Sequence, residues 1–126
     1  MLMSLLPDTA PYVLVVDDDP GICELIELTL TDEGYAVVTT GNVDDALRLL
    51  TDRPAALILF DLSLPGSGPD ELVTAYRALP NASAQLVAVS GSTGLEREAA
   101  RLGADGCLAK PFDLDDLLAI VGAAFA

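Results

Sequence analysis

Five short apolar runs, separated by stretches with helical periodicity, constrain the fold of this chain more than any other feature. They occupy residues 12–16, 35–39, 56–60, 85–89 and 106–109. The first, Tyr-Val-Leu-Val-Val, is rich in β-branched residues and has no polar alternation, the pattern of a strand covered on both faces. Strands of that kind lie inside a parallel sheet flanked by helices.

The intervening stretches carry matching helix signals. Asp19 can cap a helix whose first turn takes Pro20, with Ile22, Leu25, Ile26 and Thr29 expected along its inner face until Gly34 ends it. A second helix is expected over 42–52, with Asn42 and Asp45 as a capping pair and Ala46, Leu47 and Leu50 inward. Pro69 opens a third, which carries Leu72, Val73 and Tyr76. A short fourth carries Leu95, Ala99 and Leu102 and closes at Gly103. In the last, Asp113 caps and Leu114, Leu117, Leu118 and Val121 face the core. Five strands alternating with five helices make an α/β domain, a doubly wound parallel sheet joined by right-handed crossovers.

Polar residues stand at the carboxyl ends of four of the apolar runs: Asp17-Asp18-Asp19, Asp61, Ser90, and Lys110-Pro111. In an open parallel sheet those ends share one edge, and the crevice outside that edge holds the chemistry of such folds. Two carboxylates ~5 Å apart repel by about 3 kcal/mol at an effective dielectric near 20, so a cluster of them protonates or recruits a cation. A hard divalent ion with oxygen ligands, Mg²⁺, resolves that conflict and also neutralises the oxygens of an incoming phosphoryl group. Asp61 stands alone at its strand end and is the natural nucleophile. The acidic pair supplies the metal site, while the Ser90 hydroxyl and the Lys110 ammonium stabilise the phosphoryl oxygens. The aspartate triplet can be read in two registers. Because Pro20 suits the first helical position, Asp19 goes to the cap and Asp17 and Asp18 form the pair.

Composition removes several classes of function. A net charge of −14 over 126 residues opposes binding to a phosphate backbone, which runs on clustered Lys and Arg, so no nucleic-acid partner is expected. No apolar run approaches a membrane span. The opening Met-Leu-Met-Ser-Leu-Leu-Pro lacks a basic segment and is too short for a secretory signal, so residues 1–11 are expected as a tail, the chain as cytoplasmic, and no membrane as a partner. Cys23 and Cys107 form no CxxC and the chain has no histidine, which leaves no basis for a disulfide scaffold or a zinc site. Cys23 reads as a small core residue. Glu24, Glu27, Asp44 and Asp115 read as solvated surface.

Taken singly, an aspartate, serine or lysine after a strand is an ordinary turn residue. Together, Val-Val-Asp-Asp-Asp-Pro (15–20), Asp-Leu-Ser-Leu-Pro-Gly (61–66), Val-Ser-Gly (89–91) and Lys-Pro-Phe (110–112) resemble, in order and spacing, the response-regulator receiver domain of two-component signalling, chemotaxis receivers included. The resemblance covers 12–126 and implies a flavodoxin-like (βα)5 fold with strand order 2-1-3-4-5. It implies that Asp61 accepts a phosphoryl group from a histidine kinase or phosphotransfer protein. It also implies that Asp18, Asp61 and the Ser63 carbonyl ligate Mg²⁺, and that Asp17 acts through metal-bound water. Ser90 then corresponds to the hydroxyl that swings toward the phosphoryl group and Lys110 to the family's lysine, with a cis peptide before Pro111. Ser63 and Ser92 occupy positions that tune hydrolysis. The output surface implied is the face of the fourth helix, fifth strand and fifth helix, about 95–118, toward an unknown downstream protein. Such a domain is no conventional enzyme, although a receiver catalyses its own phosphorylation and dephosphorylation.

Two departures stand out. Cys107 occupies the fifth-strand position that commonly carries Tyr or Phe, so the switch is expected to be muted or to run through the Ser90 loop alone. Gly68-Pro69 replaces an acidic residue and glycine, so altered geometry is expected in the loop before the third helix. Because the chain ends directly after its last helix, a stand-alone switch is expected. A degenerate receiver serving as a scaffold or phosphate sink is the alternative. Other uses of the fold fit poorly: a flavin site needs a Ser/Thr/Gly loop where the three aspartates stand, a cobalamin site needs a histidine, and a haloacid-dehalogenase-like phosphatase needs an aspartate where Ser63 stands.

Overall fold

The computed structural model describes residues 10–126, so the expected tail lies outside the described residues except for Ala10 and Pro11. The elements run β1 (Tyr12–Val16), α1 (Pro20–Asp32), β2 (Ala36–Thr40), α2 (Val43–Asp52), β3 (Leu57–Asp61), α3 (Gly68–Arg77), β4 (Gln85–Ser90), α4 (Leu95–Leu102), β5 (Gly106–Ala109) and α5 (Leu114–Phe125). All four strand pairings are parallel and the order is β2-β1-β3-β4-β5. This is the expected flavodoxin-like arrangement.

Alternate residues of each strand feed opposite layers. Val13, Val15, Leu57, Leu59, Val87 and Val89 pack with Ile26 and Leu30 of α1 and Leu117 and Val121 of α5. Tyr12, Leu14, Ile58, Phe60, Leu86 and Ala88 pack on the other face with residues of α2, α3 and α4. Each fully buried aliphatic side chain contributes about 1.5–3 kcal/mol, so these two layers, rather than the exposed ion pairs, hold the domain together.

The helix caps follow the local chemistry. The Asp19 carboxylate accepts from the N–H groups of Gly21 and Ile22, Asn42 from Asp45, and Asp113 from Asp115. Asn42 also donates through its amide to the Asp45 carboxylate at 2.9 Å, which completes the expected pair. Strands β2 and β3 begin one residue later than expected, and Asp61 is the last residue of its strand.

Two inner-face assignments need correction. On α1 the buried residues are Ile26 and Leu30, with Ile22 and Cys23 packed beside them, while Leu25 is 44% exposed. Apolar residues occur on most sides of this helix, so the 3.6-residue period admits more than one phase. On α5, Leu114 is 42% exposed because it opens the helix, whereas Leu117 and Val121 are buried one and two turns on.

A further long-range contact fixes the start of the sheet. The Tyr12 hydroxyl donates to the Arg53 carbonyl at 2.7 Å, and the Arg53 guanidinium donates to the Ala10 carbonyl and stands 5.7 Å from the Tyr12 ring. Burial pushes the Tyr12 phenol up to about 12.

Candidate functional site

Backbone hydrogen bonds carry the ladders just past the strand ends. Asp17 N–H donates to the Thr40 carbonyl, Leu62 N–H to that of Val89, and Lys110 N–H to that of Ser90, at 3.0, 2.9 and 2.8 Å. The side chains that leave this edge are therefore held by the sheet itself.

Asp17, Asp18 and Asp61 each offer a carboxylate oxygen within 4.8 Å of the other two. Asp17 and Asp61 are buried and Asp18 is exposed. Lys110 Nζ donates to Asp17 Oδ2 at 2.9 Å and lies 3.5 Å from Asp61 Oδ2. Burial of the amine pulls its pKa down, but the hydrogen bond to Asp17 and the charges of Asp17 and Asp61 outweigh that, and the net shift is upward. Lys110 is thus an ammonium throughout the neutral range. One ammonium leaves two of the three carboxylate charges uncompensated, and the donor set is all oxygen, which fits a hard divalent cation.

The register of the triplet follows the expected division of labour. Asp19 caps α1, and its N–H donates to Asp17 Oδ1 at 2.9 Å. The Cys23 thiol donates to the Asp17 carbonyl at 3.2 Å. It is pushed up to about 11, first by burial and then by the charges of Asp17 and Asp19. Cys23 thus sits directly behind the acidic pair as well as against the α1 layer.

Ser63 does something its position alone did not reveal. Its N–H donates to Asp61 Oδ1 at 3.1 Å and its hydroxyl to Asp61 Oδ2 at 2.7 Å. A hydroxyl two residues beyond an aspartate is the sequence signal for such a local turn. Ser90 is buried at the end of β4, and its hydroxyl accepts from Ser92 N–H at 3.0 Å. Leu62, Ser63, Ser90 and Ser92 border a cavity of about 210 Å³ beside Asp61. The peptide between Lys110 and Pro111 is cis, as expected.

Cys107 lies apart from these groups. It pairs in register with Ala88 and borders a second, larger groove between α4, β5 and α5. In the loop before α3, Gly66 is left-handed at φ 64°, and a Cβ on buried Gly68 would come within 3.0 Å of Leu64 Cβ. Gly68 therefore lets the backbone approach Leu64 more closely than a larger residue would allow.

Two arginines tie α4 to α3. Arg77 donates to the carbonyls of Leu102 and Gly103 at 3.2 and 2.6 Å. Arg101 binds Asp70 at 2.8 Å and Glu98 at 2.9 Å.

Comparison with known proteins shows what the chain as a whole is similar to. Residues 13–122 match the model of the response regulator receiver domain. The transcriptional regulatory protein PrrA of Mycobacterium tuberculosis is 38% identical over 118 residues, which cover 91% of this chain and 50% of PrrA. The chemotaxis response regulator CheY4 of Vibrio cholerae has a TM-score of 0.79 and 29% identity, over 92% of this chain and 99% of that one. The receiver domain of sensor histidine kinase PA1611 from Pseudomonas aeruginosa, solved with a magnesium ion coordinated in its active-site cleft, has a TM-score of 0.78 and 28% identity, covering 89% and 94%.

This chain belongs to the response regulator receiver domain family, whose members are phosphorylated on aspartate in two-component signalling. It spans about half the length of the transcriptional regulators it matches. Receiver domains bind Mg²⁺ at an acidic site, are phosphorylated by histidine kinases and act on downstream effectors. Among the described residues, no helix is long and apolar enough to cross a membrane.

Proposed function

We propose that this domain accepts a phosphoryl group on Asp61 from a cytoplasmic histidine kinase or phosphotransfer protein and passes the signal to a downstream protein through α4, β5 and α5. The observation that carries the assignment is the convergence of Asp17, Asp18, Asp61 and Lys110 at one sheet edge. Asp18, Asp61 and the Ser63 carbonyl would hold Mg²⁺, with Asp17 acting through metal-bound water. When bound, the ion neutralises charge on the transferring phosphoryl group.

The chain's own residues supply the rest. An oxygen of Asp61 attacks phosphorus, and the bond to the donor breaks with its electron pair leaving on the donor. Asp61 Oδ2 carries the Ser63 hydroxyl in the resting state, so that hydrogen bond has to turn aside if Oδ2 is the attacking atom. Lys110 is within reach of Asp61 and takes up a phosphoryl oxygen as its pairing with Asp17 relaxes. Ser90 gives up the Ser92 N–H and donates to another. Ser63 and Ser92 border the cavity beside Asp61 and set water access, hence the rate of hydrolysis. With Cys107 in place of a ring, the switch runs through the Ser90 loop into α4.

Acetyl phosphate tests this. With Mg²⁺ the chain should acquire a hydroxylamine-labile phosphoryl group, Asp18→Ala should need far more Mg²⁺, and Asp61→Ala should acquire none. Labelling of Asp61→Ala at the wild-type level would overturn the assignment. A chain that labels normally but changes no partner binding would be a phosphate sink.

A further inference from the structure

An open groove of about 670 Å³ lies between α4, β5 and α5, a volume within the range that admits large side chains. Its floor is mostly apolar and includes the short residues Gly94, Cys107, Ala109 and Ala119. Leu95, Cys107 and Ile120 are buried or half-buried, and Ala119 is exposed. Glu96 on α4 and Asp116 on α5 stand on opposite sides, and none of the lining residues is basic.

The rest of the chain does not offset that charge. Of its six Lys and Arg residues, Arg48, Arg53, Arg77, Arg101 and Lys110 already bind carboxylates or carbonyls of the domain. Arg97 is exposed on α4 beside Glu96 but does not line the groove. The groove also shares Ser92, Gly94 and Leu95 with the cavity beside Asp61. A rearrangement of the Ser90 loop therefore reshapes one wall of the groove.

We propose that this groove seats a leucine or aromatic side chain of a protein segment that carries Lys or Arg on both sides of that anchor. The proposal rests on the receiver reading of the Asp61 pocket and adds the chemistry of the partner to it. The short floor residues leave room for the anchor, and the two carboxylates meet the flanking cations at the rim.

The test is panning of random displayed peptides against the whole chain with Mg²⁺ and beryllofluoride, a phosphoryl mimic. Ala119→Trp, which fills the groove from an exposed helical position, serves for counter-selection. Enriched peptides should share a leucine or aromatic anchor with Lys or Arg within one helical turn on each side. A synthetic version should shift the amides of Cys107, Leu108 and Ile120 and bind about fivefold more weakly to the Glu96→Gln/Asp116→Asn double variant, the loss expected for two exposed ion pairs.

No enrichment, acidic or neutral flanks, or equal binding to Ala119→Trp would overturn the proposal. So would a dimer of the chain that Ala119→Trp dissociates, since the occupant would then be a second copy. Beryllofluoride shifts at Asp61 and Lys110 in the same spectra keep the two readings separate. Their presence without peptide binding removes the groove proposal alone, and their absence removes the receiver reading beneath it.

Discussion

The two ends of α4 are built differently. At its N-terminus the cap is Gly94, left-handed at φ 82° with no side-chain hydrogen bond, and only Gly91, Ser92 and Thr93 lead into it from β4. At its C-terminus Gly103 is again left-handed at φ 72°, but Arg77 donates to the last carbonyls and Arg101 joins the helix to Asp70 of α3. A cation on those carbonyls also favours the negative end of the helix dipole. The end next to Asp61 is thus free to rearrange while the far end is fastened. A signal from the pocket should turn the near end and leave the far end in place.

The comparison breaks most severely at Gly103. A Cβ there would meet Arg77 Nη1 at 2.9 Å in addition to the strained φ, so Gly103→Ala should cost about 2 kcal/mol by combining αL strain with a weakened arginine clamp. Urea unfolding measures this, and a loss no larger than that of Gly94→Ala would show that the clamp is not worth keeping.

Gly94→Ala isolates the strain. Nothing lies within 4 Å of the added methyl, so the cost should be about 1 kcal/mol from φ alone. Hydrogen exchange in the same variant should quicken at the start of α4 and remain unchanged at Gly103. Uniform quickening along the helix would contradict the separation of the two ends.

Arg101→Ala should have the smallest effect. Its partners Asp70 and Glu98 are exposed, and the guanidinium holds both carboxyls below their usual range mainly through hydrogen bonds. Exposed pairs are screened, so the loss in melting temperature should be slight at low salt and vanish at high salt. A loss that persists at high salt would mean that packing of the arginine stem, not charge, fastens the helix.

Much of this is legible in the amino-acid sequence. The fully buried runs of β1 and β3 have no polar alternation to confuse with a surface strand, and each cap residue stands directly before a helical period. Asp61, Ser90 and Lys110 were legible because a parallel sheet sends every strand end to the same edge, whatever lies between them in sequence.

What escaped depends on contacts far apart in the chain or on rotation about a helix axis. Leu25 and Leu30 are both leucines on α1, and only packing against the sheet decides that Leu30 goes inside. Arg77 and the carbonyls of Leu102 and Gly103 are brought together by the packing of α3 beside α4, which no local pattern encodes. The Ser63 hydroxyl on Asp61 lay between these cases. The spacing hinted at a turn, but the choice of Oδ2 depends on the loop that Gly66 and Gly68 allow.

The most direct test of the account locates the acyl phosphate. The chain is treated with acetyl phosphate and Mg²⁺ and reduced with borohydride, which converts an aspartyl phosphate to homoserine, and its peptides are then mapped by mass spectrometry. The account predicts homoserine at position 61 and unmodified aspartate at 17 and 18. Homoserine at 17 or 18, or a phosphorylated chain with aspartate intact at 61, would contradict it.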